Sequence, residues 1–228
     1  MEQGSTKSEQ IKDWIRFALS YFDNAHLCCG VLIKREQSKE FKEMIERFSM
    51  VNIERLYIPI IYSVKHGIEL ALKVSSMILN TDEDGGVMTT HDLQKIVKTK
   101  LIPALKQAKT RKIIKEGLTE EFFVKKELID GAVESILDHY SEIFAKVNKY
   151  YYCTFLSRII SEDYHVIDNN NTAFRYPDNI GIRLKYSEII KRVTIDNIHE
   201  IVEDLDIITR SLSVILIYLK DIFIKDKQ

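Results

Sequence analysis

The sequence predicts an all-α helical bundle forming a single domain over residues 1–228, and three observations support this fold class. The 228 residues include only 8 Gly and 3 Pro, where average usage would give roughly 16 and 11, so long helices are favoured over a many-turned sandwich or barrel. Apolar residues make up 45% and charged residues 29%, as in a globular chain and unlike a disordered one. Near the carboxyl end, eight apolar residues alternate three and four positions apart, the heptad pattern of packed helices. They are Ile198, Ile201, Leu205, Ile208, Leu212, Ile215, Leu219 and Ile222.

The helices of the amino-terminal part can be placed from their apolar patterns. An amphipathic stripe predicts a first helix over about 8–33, and a shorter charged helix is expected over 36–48. The segment 53–80 is apolar around most of its circumference, which predicts the central buried helix, with Pro59 in its first turn.

The next predicted helix follows a loop rich in Asp and Gly. Thr90 can cap this helix, and Pro103 should break or kink it near Leu101. The pattern is helical again over about 119–160. Segment 161–182 then collects Asn, Asp, Gly and Pro, which predicts one long surface loop.

The heptad seam leaves two arrangements open. Its helix can pack inside the bundle of its own chain, or against a second copy in a homodimer. The spacing of the apolar residues is the same in both cases.

Three polar residues interrupt the apolar face of the central helix. His66, Glu69 and Lys73 lie on one stripe, and Glu69 is placed four residues before Lys73, the spacing of a charge pair. Burying ions is costly, so this stripe faces either solvent or a polar partner. It is either a solvated or internally paired face, or a ridge that contacts phosphates or bases.

Positive charge is concentrated after residue 93, although the formal net charge of the chain is only −1. The acidic segment 116–142 follows, and the two segments either neutralise each other or leave a basic surface for an anionic partner. The basic residues are Lys95, Lys98, Lys100, Lys106, Lys109, Arg111, Lys112 and Lys115.

The sequence offers little support for a metal, a cofactor, a disulfide framework or a membrane span. The six His form no H-E-x-x-H motif, no C-x-x-C occurs, and no glycine-rich phosphate loop is present. An odd count of three Cys suits a reducing compartment. The first residues, MEQGSTKSEQ, lack the features of a signal peptide. We therefore expect a cytoplasmic protein with no bound metal or cofactor and no membrane partner.

Four short strings, taken in order, resemble the HEPN superfamily of helical-bundle domains. They are KDWIRFALSYFDNAHL, SVKHGIELALKVSSMIL, THDLQKI and FRYPD. With the terminal helix that follows them, the resemblance covers about residues 12–222. The resemblance implies an up-and-down bundle in which 117–160 is an inserted helical segment. It also implies a place in prokaryotic toxin–antitoxin or antiviral defence systems, with a nucleotidyltransferase or an antitoxin as a partner protein.

The resemblance also implies which residues bind a ligand. The bend FRYPD has a structural alternative, in which Arg175 and Pro177 clamp the loop onto the bundle. His91 and Asp92 have one too, as first-turn residues that favour the start of a helix. The candidate ligand-binding residues are His66, Glu69, Lys73, His91, Asp92, Arg175, Tyr176 and Asp178.

Many HEPN proteins are metal-independent ribonucleases with an Arg/His pair that meets its copy across a dimer. Two pairs fit loosely, Arg158 with His165 and Arg192 with His199. Location favours Arg192 with His199, near the start of the heptad helix and close to a possible dimer seam. There a neutral His could take the ribose 2′-hydroxyl proton while Arg stabilises the charged phosphorus centre. The residues that follow each Arg are apolar, unlike those of the catalytic family members.

Three functions follow from these observations. The first is a non-catalytic HEPN-type module that binds a nucleotide, RNA or a partner protein. The second is a dimeric endoribonuclease that uses one of the Arg/His pairs. The third is a structural helical subunit whose basic run is internally paired and has no nucleic-acid ligand.

Overall fold

The computed structural model describes residues 7–46, 51–79, 90–103, 134, 138–156, 159, 174 and 186–219. These residues are almost entirely helical and include no strand, which confirms the all-α prediction. None of the helices within these ranges is long and apolar enough to cross a membrane. The helices are α1 (Lys7–Gln37), α2 (Lys39–Ile45), α3 (Ile53–Leu79), α4 (Leu93–Ile96), α5 (138–151), α6 (Tyr186–Ile190) and α7 (Ile195–Leu219).

Helices α1 and α3 form the centre of the bundle and run antiparallel. Phe22 of α1 lies against Gly67 of α3, and Asn24 donates a hydrogen bond to Ser63 at 3.0 Å. A Cβ atom added at Gly67 would lie 2.6 Å from a carbon of the Phe22 ring, so only glycine permits this approach. The apolar stripe predicted for α1 is its packing face. Its residues Ile11, Ala18, Phe22, Ala25 and Cys29 are buried.

Helix α7 packs against both α1 and α3. Its first five seam residues are buried within the chain, so this part of the seam forms the core of the bundle and is not left open for a second copy. The last three seam residues, Ile215, Leu219 and Ile222, lie outside the described side chains. The buried seam residues are Ile198, Ile201, Leu205, Ile208 and Leu212.

The break predicted near Leu101 takes the form of a π-helical turn. Helix α4 continues into a π-helix over Val97–Leu101, in which the N–H of Ile102 bonds to the carbonyl of Val97, five residues back. Ile102 and Pro103 are again α-helical, and Pro103 has no N–H to donate to the carbonyl four residues before it. The helix is therefore distorted just before the proline, but it does not end there.

The helix predicted over 119–160 is shorter at its carboxyl end than expected. Helix α5 ends at residue 151, and Cys153 has a φ of 49°, in the left-handed region where a helix does not continue. A 3₁₀ turn over Thr154–Leu156 follows. The short helix α6 was not predicted, because five residues carry too little periodicity to be recognised.

Candidate functional site

A buried carboxylate on α3 is the centre of the candidate site. Glu69 is only 1% exposed, and its Oε1 accepts a hydrogen bond from Lys73 Nζ at 2.8 Å. His91 Nδ1 lies 2.8 Å from the same oxygen. An ionised carboxylate only accepts hydrogen bonds, so the hydrogen between these atoms is carried by His91 Nδ1. The predicted Glu69–Lys73 pair is confirmed, and the carboxylate of the stripe is paired within the chain.

Aromatic rings surround the third member of the predicted stripe. His66 Nδ1 lies 3.8 Å from Glu69 Oε2. The His66 ring stacks on Tyr62, with centroids 5.4 Å apart and planes 11° apart, and meets Tyr21 of α1 edge-on at 4.6 Å. We call these six residues the Glu69 cluster: Tyr21, Tyr62, His66, Glu69, Lys73 and His91.

The Glu69 cluster is buried at its carboxylate and open at its imidazoles. The His66 side chain is 19% exposed and the His91 side chain 45%, whereas that of Lys73 is only 5% exposed. The charges of Glu69 and Lys73 balance. The exposed side of the cluster therefore consists of two imidazoles and aromatic rings, with a neutral ion pair beneath them.

His91 is held at this place by the start of α4. Asp92 is the N-cap of α4, since its side chain accepts the N–H of Lys95 at 2.9 Å. The predicted cap, Thr90, is wrong: its hydroxyl instead accepts the N–H of Asp92 at 3.2 Å. Asp92 thus has the structural role of a helix start, and this fixes the neighbouring His91 against Glu69.

Three lysines continue from this site along α4 and the π-helical turn. Lys95, Lys98 and Lys100 are exposed, and we call them the basic strip. Lys98 Nζ donates to Gln94 Oε1 at 3.0 Å, and none of the three forms an ion pair with an acidic residue in the described part of the chain. This end of the predicted basic run is therefore open to an anionic partner.

Gln94 connects α4 to α5. Its side-chain amide donates to Asn148 Oδ1 at 2.9 Å and lies 3.0 Å from the hydroxyl of Tyr152. These contacts hold the start of α4 between α3 and α5, so the position of His91 is fixed from two sides.

Of the two Arg/His pairs, the one within the described residues, Arg192 with His199, is not part of the Glu69 cluster. Arg192 and His199 are exposed near the start of α7, as expected from the sequence. Burial, and then the charge of the next residue, Glu200, raise the pKa of Tyr57. Tyr57 lies twelve residues before Glu69 on α3, about 18 Å along the helix axis. The start of α7 and the Glu69 cluster are therefore two separate places.

The remaining candidates lie outside the described residues. Phe174, the residue before the predicted bend, has its ring 5.5 Å from Nζ of the buried Lys65 on α3. Phe174 therefore lies against α3 at Lys65, the residue before His66. The candidates outside the described residues are Arg158, His165, Arg175, Tyr176 and Asp178.

A second charged cluster lies between α5 and α7 and was missed by the sequence analysis. Asp204 of α7 is 2% exposed and accepts from Lys146 at 2.6 Å, from Lys149, and from the hydroxyl of Tyr150 at 3.0 Å. Lys149 also pairs with Glu200 at 2.8 Å. Burial and then the charge of Asp204 raise the pKa of Tyr150 well above its usual value. Donors of α5 thus meet acceptors of α7, and this cluster joins the two helices.

The chain was compared with protein families, with curated proteins and with solved structures. No protein-family model, no curated protein and no solved structure matches the chain.

The chemistry open to the Glu69 cluster is binding by stacking and hydrogen bonding. Aromatic rings stack on nucleobases whatever the base, and an imidazole held by a carboxylate presents its outer nitrogen, Nε2, in a fixed direction. No group of three His, Cys, Asp or Glu side chains within the described ranges has the spacing of a metal site. The residues therefore suit a planar ligand with an attached anionic group.

Proposed function

We propose that this chain is a HEPN-type helical module that binds a nucleotide, or the exposed bases of RNA, at the Glu69 cluster without cleaving it. The observation that carries the proposal is the grouping of partly exposed rings and imidazoles around one buried carboxylate. A purely structural ion pair between Glu69 and Lys73 needs neither the exposed His91 nor the stacked pair of Tyr62 and His66.

The open basic strip supports this proposal over a purely structural subunit. That alternative requires the basic run to be neutralised inside the chain, whereas its first three lysines are exposed without such pairing among the described residues. The resemblance to HEPN proteins is the support for a defence or toxin–antitoxin setting, and for a nucleotidyltransferase or an antitoxin as a partner.

The test is calorimetric titration of the full chain with nucleoside monophosphates and with the matching nucleosides. We expect binding to the wild type, and loss of at least tenfold in affinity in His66→Ala and in His91→Gln. The matched control is His26→Ala, because His26 is also partly exposed and paired, with Asp206 at 3.6 Å, but lies outside the cluster. Unchanged affinity in both site variants, or no binding of any nucleotide, would overturn the proposal.

The same preparation distinguishes the ribonuclease alternative. Total RNA is incubated with the chain in the presence of EDTA, and its integrity is compared with that after incubation with His199→Ala. Under the binding proposal the RNA stays intact with both proteins. Cleavage that disappears in His199→Ala would favour the endoribonuclease that uses Arg192 and His199.

A further inference from the structure

A cavity of about 180 Å³ lies between α3, the π-helical turn and α5. Its inner wall consists of buried aliphatic side chains, and none of the described residues on its walls carries a charge. A charged ligand would lose its hydration here without a compensating partner. The cavity therefore suits an uncharged ligand. The buried aliphatic residues are Leu72, Val97, Leu101, Ile143 and Val147.

The π-helical turn forms one wall of this cavity. Its hydrogen bond reaches five residues back instead of four, so the turn holds one residue more than a turn of α-helix. Val97 and Leu101 are its first and last residues, and both line the cavity. Single π-helical turns occur frequently at functional sites. The irregular part of the helix and the wall of the cavity are thus the same residues.

The cavity opens to the surface beside α5. Ile102 and Phe144 on its wall are half-buried, and Ser141 is exposed. A ligand can therefore enter at this side without unfolding of the bundle. A polar substituent on the ligand can remain in water beside Ser141 while the apolar part is buried.

We propose that this cavity binds one small neutral molecule built around an aromatic ring, between benzene and indole in size. An apolar protein cavity of about 150 Å³ stays dry and binds benzene, so the volume found here fits such a ring with a small substituent. Tyr140 and Phe144 add aromatic side chains to the wall, and aromatic rings in offset or edge-to-face contact attract each other beyond their burial of area.

This site is distinct from the Glu69 cluster. None of the residues that line the cavity belongs to that cluster. The proposal therefore does not rest on nucleotide binding, and each of the two can fail without the other.

The first experiment compares neutral and charged rings. Calorimetric titration of the full chain with benzene, indole and benzoate gives their dissociation constants, and thermal unfolding is then followed by circular dichroism. At ten times its dissociation constant, indole should raise the Tm by about 3–6 °C, as mass action predicts for a chain of this length. Benzoate should leave the Tm unchanged, because its carboxylate resists burial. Binding of neither neutral ring, or equal affinity for benzoate, would overturn the proposal.

The second experiment fills the cavity. Val147→Phe and Leu101→Phe each place a ring in the space, from two different elements, and each should weaken indole binding at least tenfold. The matched control is Ala145→Phe, which adds the same ring at an exposed position of α5 that does not line the cavity. Its affinity for indole should equal that of the wild type. Wild-type affinity in a folded filling variant would overturn the proposal.

The third experiment locates the ligand in the unaltered chain. Methyl NMR spectra are recorded with and without benzene, whose ring current shifts the signals of nearby methyl groups. We expect the largest shifts at Leu72, Val97 and Val147, and none at Ile60 and Ile198, which are buried but do not line the cavity. Unshifted cavity methyls, with shifts confined to other residues, would show binding elsewhere and would overturn the proposal.

Discussion

Replacing Glu69 by Leu tests whether its ion pair with Lys73 is a structural element, a binding element or both. The side chain of Lys73 is only 5% exposed, so Glu69→Leu leaves a buried ammonium without its carboxylate. Removing one partner of a buried pair costs about 3–5 kcal/mol. His91 loses the same partner, but at 45% exposure its ring can be solvated, so it adds little to the loss.

The double variant Glu69→Leu/Lys73→Met separates the two roles. Replacing a whole buried ion pair by apolar residues of similar size is often neutral or stabilising, so we expect its free energy of unfolding to lie within about 1 kcal/mol of the wild type. Nucleotide binding should still be lost, because His66 and His91 no longer have the carboxylate that orients them.

The assay is urea unfolding followed by far-ultraviolet circular dichroism, together with the calorimetric titration. A loss below about 1 kcal/mol in Glu69→Leu would show that Lys73 is not dependent on this carboxylate. A double variant as unstable as the single one would contradict the argument from charge burial. A stable double variant with wild-type nucleotide affinity would leave the ion pair with a structural role alone.

Three further predictions concern the frame around the site. Gly67→Ala should lower the free energy of unfolding by about 1–2 kcal/mol, because the new methyl group overlaps the Phe22 ring of α1. Gly30→Ala should raise it by about 1 kcal/mol through helix propensity, because no atom lies within 4 Å of the new Cβ. Urea unfolding that gives both changes the same sign would contradict the packing argument. Asp92→Ala should cost about 1 kcal/mol by removing the cap of α4, and Asp92→Asn should restore most of it, which the same unfolding experiment measures. The hydrogen bond from Ser211 lowers the pKa of Glu142. The stability that this hydrogen bond contributes is therefore fully present above the usual pKa of glutamate, and it is lost as the pH falls through the lowered pKa. Ser211→Ala should move that pKa back towards its usual value in an NMR titration, and an unchanged pKa would assign the effect to another neighbour.

Local patterns in the sequence were sufficient to predict several features of the fold and of the site. The Glu69–Lys73 pair follows from a spacing of four residues on one helix, and the buried half of the seam follows from its three-and-four alternation. The distortion of the helix before Pro103 follows from the missing N–H of proline. Each of these depends on neighbours within two turns of one helix.

Features that depend on distant residues were not predicted. The contact between His91 and Glu69 joins residues 22 apart in sequence, and Tyr21 meets His66 only because α1 lies antiparallel to α3. From the sequence alone, Asp204 would be predicted to lie in solvent beside the seam, whereas it is buried in the structure. Its burial depends on lysines of α5 that are 55 and 58 positions away, a relation that no local pattern encodes.

The three donors on Asp204 have a consequence for how α7 can lie in the bundle. A seam of Ile and Leu repeating every seven residues would pack almost equally well after a slide of one heptad, because the repeat presents the same surface again. Such a slide would separate Asp204 from Lys146, Lys149 and Tyr150. It would leave a carboxylate without a partner in the interior, at a cost of several kcal/mol. The contacts of Asp204 therefore select one register among those that the apolar heptad repeat alone would allow.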